Sequence, residues 1–204
     1  MTDIILWSAV MSALLIAQPV RAQTLSGDAL VAALQRGGYV LVIRHASSPT
    51  QAPDRQSANA DNVRLERQLD EQGRAAAAAM GTALRALKIP VGDVFSSPTY
   101  RALETVRLAG LPAPRLQAEL GDGGQSMRGV APAQSAWLRE KVKQLPQGTN
   151  TALVTHLPNI AGAFPESASG LEDGETLVFG PDGRGGTGVV ARIRIGEWPR
   201  LQRH

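Results

Sequence analysis

Two short apolar runs in this chain each deliver a histidine. Tyr39-Val40-Leu41-Val42-Ile43 is followed by Arg44-His45-Ala46, and Thr151-Ala152-Leu153-Val154-Thr155 is followed by His156. Runs of this length and composition read as strands covered on both faces, as in a parallel sheet flanked by helices. Parallel neighbours would bring the two imidazoles to one sheet edge, where a buried sheet meets solvent and reactive groups are useful. The chain holds 3 histidines in all, the third being the terminal His204, so two of the three share this context. A lone histidine at a strand end commonly does no more than form a hydrogen bond. A matched pair with an arginine beside the first points to phosphate chemistry.

The rest of the chain alternates helix and strand. Ser26 caps a predicted helix to about Arg36, and Gly37-Gly38 ends it before the first strand. Residues 47–66 are polar, hold Pro49 and Pro53 and lack periodicity, so they are read as a long loop over a site or an exposed insertion. Leu69-Asp70-Glu71-Gln72-Gly73 opens an alanine-rich helix through Leu87, with Asp70 as its cap or first-turn acid. A brief strand ends at Phe95-Ser96-Ser97-Pro98, and a helix from Tyr100 carries Arg101 in its first turn. Unpaired amides there attract an anion, while the helix dipole repels a cation unless an anion offsets it, which makes Arg101 a phosphate ligand candidate. A strand at Leu116 precedes a loop with Gly121, Gly123, Gly124 and Gly129. A helix over 133–144, the strand to His156, and strands over 175–179 and 188–195 around Pro181-Asp182-Gly183 complete the order.

Length and composition fit one domain over 23–204, with 43% hydrophobic residues to build its core. The absence of cysteine excludes thiolate nucleophiles, disulfides and cysteine metal sites. Lys88, Lys141 and Lys143 are the only lysines among 21 cationic residues. The arginine excess suits bidentate phosphate contacts, although GC-rich coding gives the same bias. Dispersed arginines and 4% aromatics argue against nucleic acid as a partner. No lysine follows a glycine loop, which removes the P-loop, and the segment from Gly124 to Gly129 is one residue too long for a nucleophile elbow. No His-x-x-x-His spacing occurs, so a histidine-rich metal site is not expected; no cofactor is expected. Residues 4–17 are almost wholly apolar but shorter than the roughly 20 residues of a membrane span, and Val20-Arg21-Ala22 offers a cleavage site before Gln23. The expectation is a signal peptide over 1–22, a periplasmic or secreted location and no stable membrane insertion after processing. Asp3, with no cation before the apolar run, departs from the usual export pattern.

Four segments together resemble the histidine phosphatase superfamily, also called the phosphoglycerate mutase-like fold. They are Leu41-Val42-Ile43-Arg44-His45-Ala46, the stretch Arg67-Gln68-Leu69-Asp70-Glu71-Gln72-Gly73-Arg74, Ser96-Ser97-Pro98 through Arg101 to Thr105, and Leu153-Val154-Thr155-His156. The resemblance spans about 28–198, and the short form with an export signal looks like the small periplasmic branch. It implies an α/β fold, a three-layer α/β/α sandwich with a mostly parallel central sheet and its site at the carboxyl ends of the strands. It also implies a phosphohistidine intermediate. Carried onto this sequence, His45 would be the nucleophile, and Arg44, Arg101 and His156 would bind the phosphoryl oxygens, with no metal required. Water would complete a metal-independent phosphomonoesterase reaction on a small-molecule or glycan-linked phosphomonoester. A non-catalytic phosphoryl-ligand-binding domain and a phosphomutase are the alternatives. Relatives supply the leaving-group acid as a carboxylate at differing positions. Leu157 follows His156, so the His-Asp version is absent. Glu119 is the first choice, with Asp122 and Glu175 as rivals.

Overall fold

The computed structural model describes residues 24–122 and 130–201. The predicted export segment and Gly123, Gly124 and Gly129 lie outside the described residues. Six strands form one sheet: β1 (Val40–Arg44), β2 (Val91–Ser96), β3 (Arg115–Leu116), β4 (Asn150–Thr155), β5 (Thr176–Pro181) and β6 (Thr187–Ile193). Their order is β3-β2-β4-β1-β5-β6. The first four in that order run parallel, while β5 and β6 form an antiparallel hairpin at one edge. The sheet is thus parallel where the histidines lie, and β1 pairs with β4 in a register that sets Arg44 opposite Thr155. One residue further along each strand stand His45 and His156.

Helices cover both faces, as strands buried on both sides require. Leu41 and Ile43 of β1 face a core shared with α1 (Gly27–Arg36), α2 (Glu71–Ala86) and α3 (Tyr100–Leu108). Val40 and Val42 face the opposite core, against α4 (Pro132–Lys141), α5 (Leu157–Ala163) and α6 (Pro165–Ala168). The two-residue period of the strand therefore divides one apolar run between two layers. The sequence reading places no helix between His156 and the strand over 175–179, where α5 and α6 lie. Pro158 and Pro165 each sit in a first helical turn, where the missing N–H removes no intrahelical bond. Ser26 occupies the N-cap of α1 without a side-chain capping bond, whereas Asp70 caps α2 by accepting from the Gly73 N–H at 2.6 Å.

Asp70 also ties α2 to the segment just past His45. Ser47 Oγ donates to Asp70 Oδ2 at 2.6 Å, and the Asp70 N–H donates to the Ser47 carbonyl at 3.1 Å. Gly73 makes room for this approach, since a Cβ there would stand 2.1 Å from the Ser47 carbonyl oxygen. Backbone cannot yield as a side-chain tip can. Gly73→Ala is therefore expected to lower stability by about 1–3 kcal/mol through overpacking. Urea unfolding checks this; wild-type stability would refute the close-approach account.

Candidate active site

His45 leaves β1 with its main chain tied down on two sides. Its N–H donates to the Thr155 carbonyl at 2.9 Å, and its own carbonyl accepts from the Gly174 N–H at 2.9 Å. The ring is buried, and Nδ1 lies 2.8 Å from the Ala46 carbonyl oxygen. A carbonyl can only accept, so Nδ1 carries the proton and Nε2 keeps its lone pair. Nε2 faces Arg101, whose Nε donates to it at 3.2 Å.

Arg101 projects from the first turn of α3 and is 1% exposed. Besides His45, its Nη2 reaches His156 Nδ1 at 3.1 Å and Asp122 Oδ2 at 2.5 Å. His156 is held from behind by Ser97 Oγ at 2.8 Å and Thr99 Oγ1 at 3.3 Å on Nε2. The two imidazoles lie 5.2 Å apart between centroids. The structure therefore brings the two imidazoles together, as the paired strand ends predict, and sets Arg101 of α3 against both. Arg44 joins them at the rim of a cleft of about 200 Å³, where its Nη2 pairs with Asp173 at 2.5 Å and its Nη1 donates to the Leu171 carbonyl.

The three carboxylates weighed as leaving-group acid are placed differently. Glu119 lies in a short 3-10 turn, Ala118–Leu120, accepts a hydrogen bond from Gln117, and is not among the residues lining the cleft. Glu175 is buried beside β5, where it pairs with Arg192 and accepts the Glu172 N–H. Burial pushes its carboxyl up, but the Arg192 hydrogen bond and the Glu172 N–H outweigh this and leave it below the usual range. Asp122 is the one of the three that lines the cleft, with its carboxylate on Arg101 and 3.4 Å from His156 Nδ1.

Sequence reasoning gave no role to Arg67, which also lines the cleft. Its Nε and Nη2 donate to the Pro49 and Ser48 carbonyls at 2.6 and 3.0 Å, while Nη1 is buried without a partner. Arg44 Nε is likewise buried and unpartnered. Buried donors left without acceptors are costly. The signal for Arg67 was present, since it begins the second of the four family-like segments. Thr105, which ends the third segment, was given no role either: its hydroxyl accepts the Ala46 N–H at 3.1 Å and donates to the Arg101 carbonyl at 2.8 Å, coupling the strand exit at His45 to α3.

Both site histidines are held neutral. Burial, then His156, lowers the His45 pKa well below its ordinary value; the Ala46 carbonyl opposes them, and Arg101 and Arg44 add smaller lowering effects. Burial, then Arg101, Arg67 and Arg44 do the same to His156. An imidazole that stays neutral in acid keeps its lone pair for nucleophilic attack. It also ties stability to pH. Below about 6.5 the unfolded chain takes up protons that these folded imidazoles refuse, so stability is complete above that pH and falls as pH drops toward the lowered folded pKa. The slope is about 1.4 kcal/mol per pH unit for each histidine. Melting scans from pH 7.5 to 5.0 should show a smaller acid loss in His45→Asn than in wild type; identical slopes would contradict this assignment.

Among the described residues no three His, Asp or Glu side chains group as a metal ion would need, and no helix is long and apolar enough to cross a membrane.

Residues 40–122 match the family model for the histidine phosphatase superfamily, branch 1, a span that includes Arg44, His45, Arg67, Arg101, Glu119 and Asp122 and stops short of His156. Solved structures resemble the chain over most of its length. One is the protein histidine phosphatase SixA complexed with tungstate, 19% identical with a TM-score of 0.54, covering 78% of this chain and 98% of that one. A second is a mutant phosphoserine phosphatase from Entamoeba histolytica in complex with phosphoserine, at 13% identity and TM-score 0.51, covering 77% and 97%. A third is the product of open reading frame Rv3214 of Mycobacterium tuberculosis, at 16% and 0.50, covering 76% and 96%. At these identities the likeness is one of fold. No curated protein matches by sequence. The family match over β1 to the Asp122 loop, on this sheet and with His156 completing the cluster, supports the histidine phosphatase superfamily.

Proposed function

We propose that this protein is a metal-independent phosphomonoesterase working through a phosphohistidine at His45. The observation that carries the reading is the tautomer of His45: a proton on Nδ1 held by Ala46 and a lone pair on Nε2 at a cluster of guanidinium groups. The phosphoryl group of a small monoester sits over Nε2, with its oxygens on Arg44, Arg67, Arg101 and His156. Nε2 attacks phosphorus as the ester P–O bond breaks. Negative charge spreading over the equatorial oxygens meets fixed positive charge, and each such contact supplies on the order of 3 kcal/mol to the transition state. The leaving oxygen takes a proton from a carboxylic acid, a role we assign to Asp122 on its position at the cleft. A water then attacks the phosphohistidine, giving its proton to the Asp122 carboxylate, and the P–N electron pair returns to Nε2 as inorganic phosphate is released.

In ligand-free protein Asp122 sits on Arg101, where a phosphoryl oxygen would bind. The incoming dianion takes its place on the guanidinium. The test uses leaving groups of different need. With chelator present throughout, purified protein should release phosphate from aryl and sugar phosphates. Asp122→Asn should slow the sugar phosphates about 10²-fold or more, and aryl phosphates much less, because a phenolate leaves with little help. Glu119→Gln and Glu175→Gln should leave that ratio alone. A ratio altered only by Glu119→Gln would return the role to Glu119, and no phosphate release from any substrate would sink the phosphatase reading.

A further inference from the structure

We propose that Asn159 is a positioning residue that holds the Asp122 loop at the reacting end of the cleft, an inference that rests on Asp122 acting as the acid. Asn159 lies in α5, three residues past His156, and is buried. Its Nδ2 donates to the Glu119 carbonyl at 3.0 Å and to the Gly121 carbonyl at 2.9 Å. Between them, the Leu120 carbonyl accepts from Thr155 Oγ1 at 2.7 Å, and Gly121 accepts a second bond from Gln134 Nε2 at 2.6 Å. Three consecutive carbonyls leading into Asp122 are thus held by side chains of β4, α4 and α5. A loop that only joins a strand to a helix needs no such fastening, since solvent satisfies its carbonyls.

Asn159 also holds this arrangement at a disadvantage to itself, because its Oδ1 is buried without a partner. The amide is turned so that its single NH2 group serves both carbonyls. His156 is the N-cap of the same helix, so α5 carries the phosphoryl-binding imidazole at its start and fixes the acid's loop one turn later. The distance between His156 and Asp122 is then set by one short helix rather than by two independent loops. A side chain acting in this way affects the step that needs the acid, and little else.

Wild type, Asn159→Ala, Asp122→Asn and the double variant should be compared for turnover on a sugar phosphate and an aryl phosphate, and for affinity for inorganic phosphate by calorimetry. Asn159→Ala is expected to slow the sugar phosphate about tenfold or more, with less than about a threefold effect on the aryl phosphate. The double variant should be no slower than Asp122→Asn alone, because a residue acting through another adds nothing once that partner is gone. Gln134→Leu, which removes one donor from the same Gly121 carbonyl, should show the same pattern more weakly and replaces Asn159→Ala if that variant does not fold. Equal slowing of both substrates, losses that multiply in the double variant, or unchanged selectivity would overturn the proposal. Asp122→Asn measured alone tests the acid assignment separately. If it shows no leaving-group selectivity, phosphate affinity decides: shifts in the same direction that do not add support the positioning role, and independent shifts overturn it.

Discussion

His45→Ala is expected to lower phosphate release by about 10⁴-fold or more, on the scale of a lost nucleophile, while the sheet survives. The large chemical effect follows because, among the described residues lining the cleft, His45 is the histidine whose ring proton is held by a backbone carbonyl, which leaves Nε2 its lone pair beside Arg101. The small structural effect follows from where His45 is held. Its main-chain bonds to Thr155 and Gly174 do not depend on the imidazole, and the strand before it is locked by register on both sides. The ring's own contacts are the bonds to Ala46 and Arg101, and its loss relieves the burial of a polar group. Circular dichroism and a phosphate-release assay on the same preparation check both halves. A folded His45→Ala protein that keeps wild-type turnover would remove the nucleophile from the account.

Arg101→Met is expected to damage both chemistry and fold, and the two losses should be separable. Arg101 stands at the centre of the cluster, bonded to His45, His156 and Asp122, and is 1% exposed. Methionine fills much of the same volume but takes the guanidinium away from a buried carboxylate, which costs roughly 3–5 kcal/mol when one member of a buried pair is removed. Turnover should fall about 10²–10³-fold, as for a lost transition-state contact. Adding Asp122→Asn to Arg101→Met removes the stranded charge and should restore much of the stability while leaving turnover low. Thermal melts and kcat/KM for the two single variants and the double resolve this. Recovery of turnover along with stability would mean that Arg101 serves the fold alone.

The parts of this site legible in the sequence are those whose position follows from strand periodicity. His45 and His156 end apolar runs, and once the strands pair in parallel their convergence is dictated by register. Arg101 was legible for a related reason, being a cation in a helix's first turn. The Asp122 loop was not legible in the same way, because its path is set by side chains distant in sequence. Asn159 and Gln134 reach back 38 and 13 residues to the Gly121 carbonyl, a relation that no local pattern encodes. Glu119 looked better placed by proximity to the predicted strand, yet the 3-10 turn directs its carboxylate to Gln117 and carries Asp122 to the cleft. The helices α5 and α6 are too short, at seven and four residues, to show a helical period in the sequence. Arg67 was visible as part of a motif, but only the fold shows that the polar segment before it wraps back to bring it beside Arg44 at the cleft.

The central claim is that the phosphoryl group passes through His45, and trapping that intermediate tests it most directly. Protein mixed with a labelled aryl phosphate in the presence of chelator, then quenched rapidly without acid, should carry one label per chain. A phosphorus–nitrogen bond predicts a label stable to base and lost in acid, absent from His45→Ala, and transferred to water as free phosphate on a chase. Label that survives acid, label still present in His45→Ala, or label handed to a second organic acceptor in place of water would contradict the account.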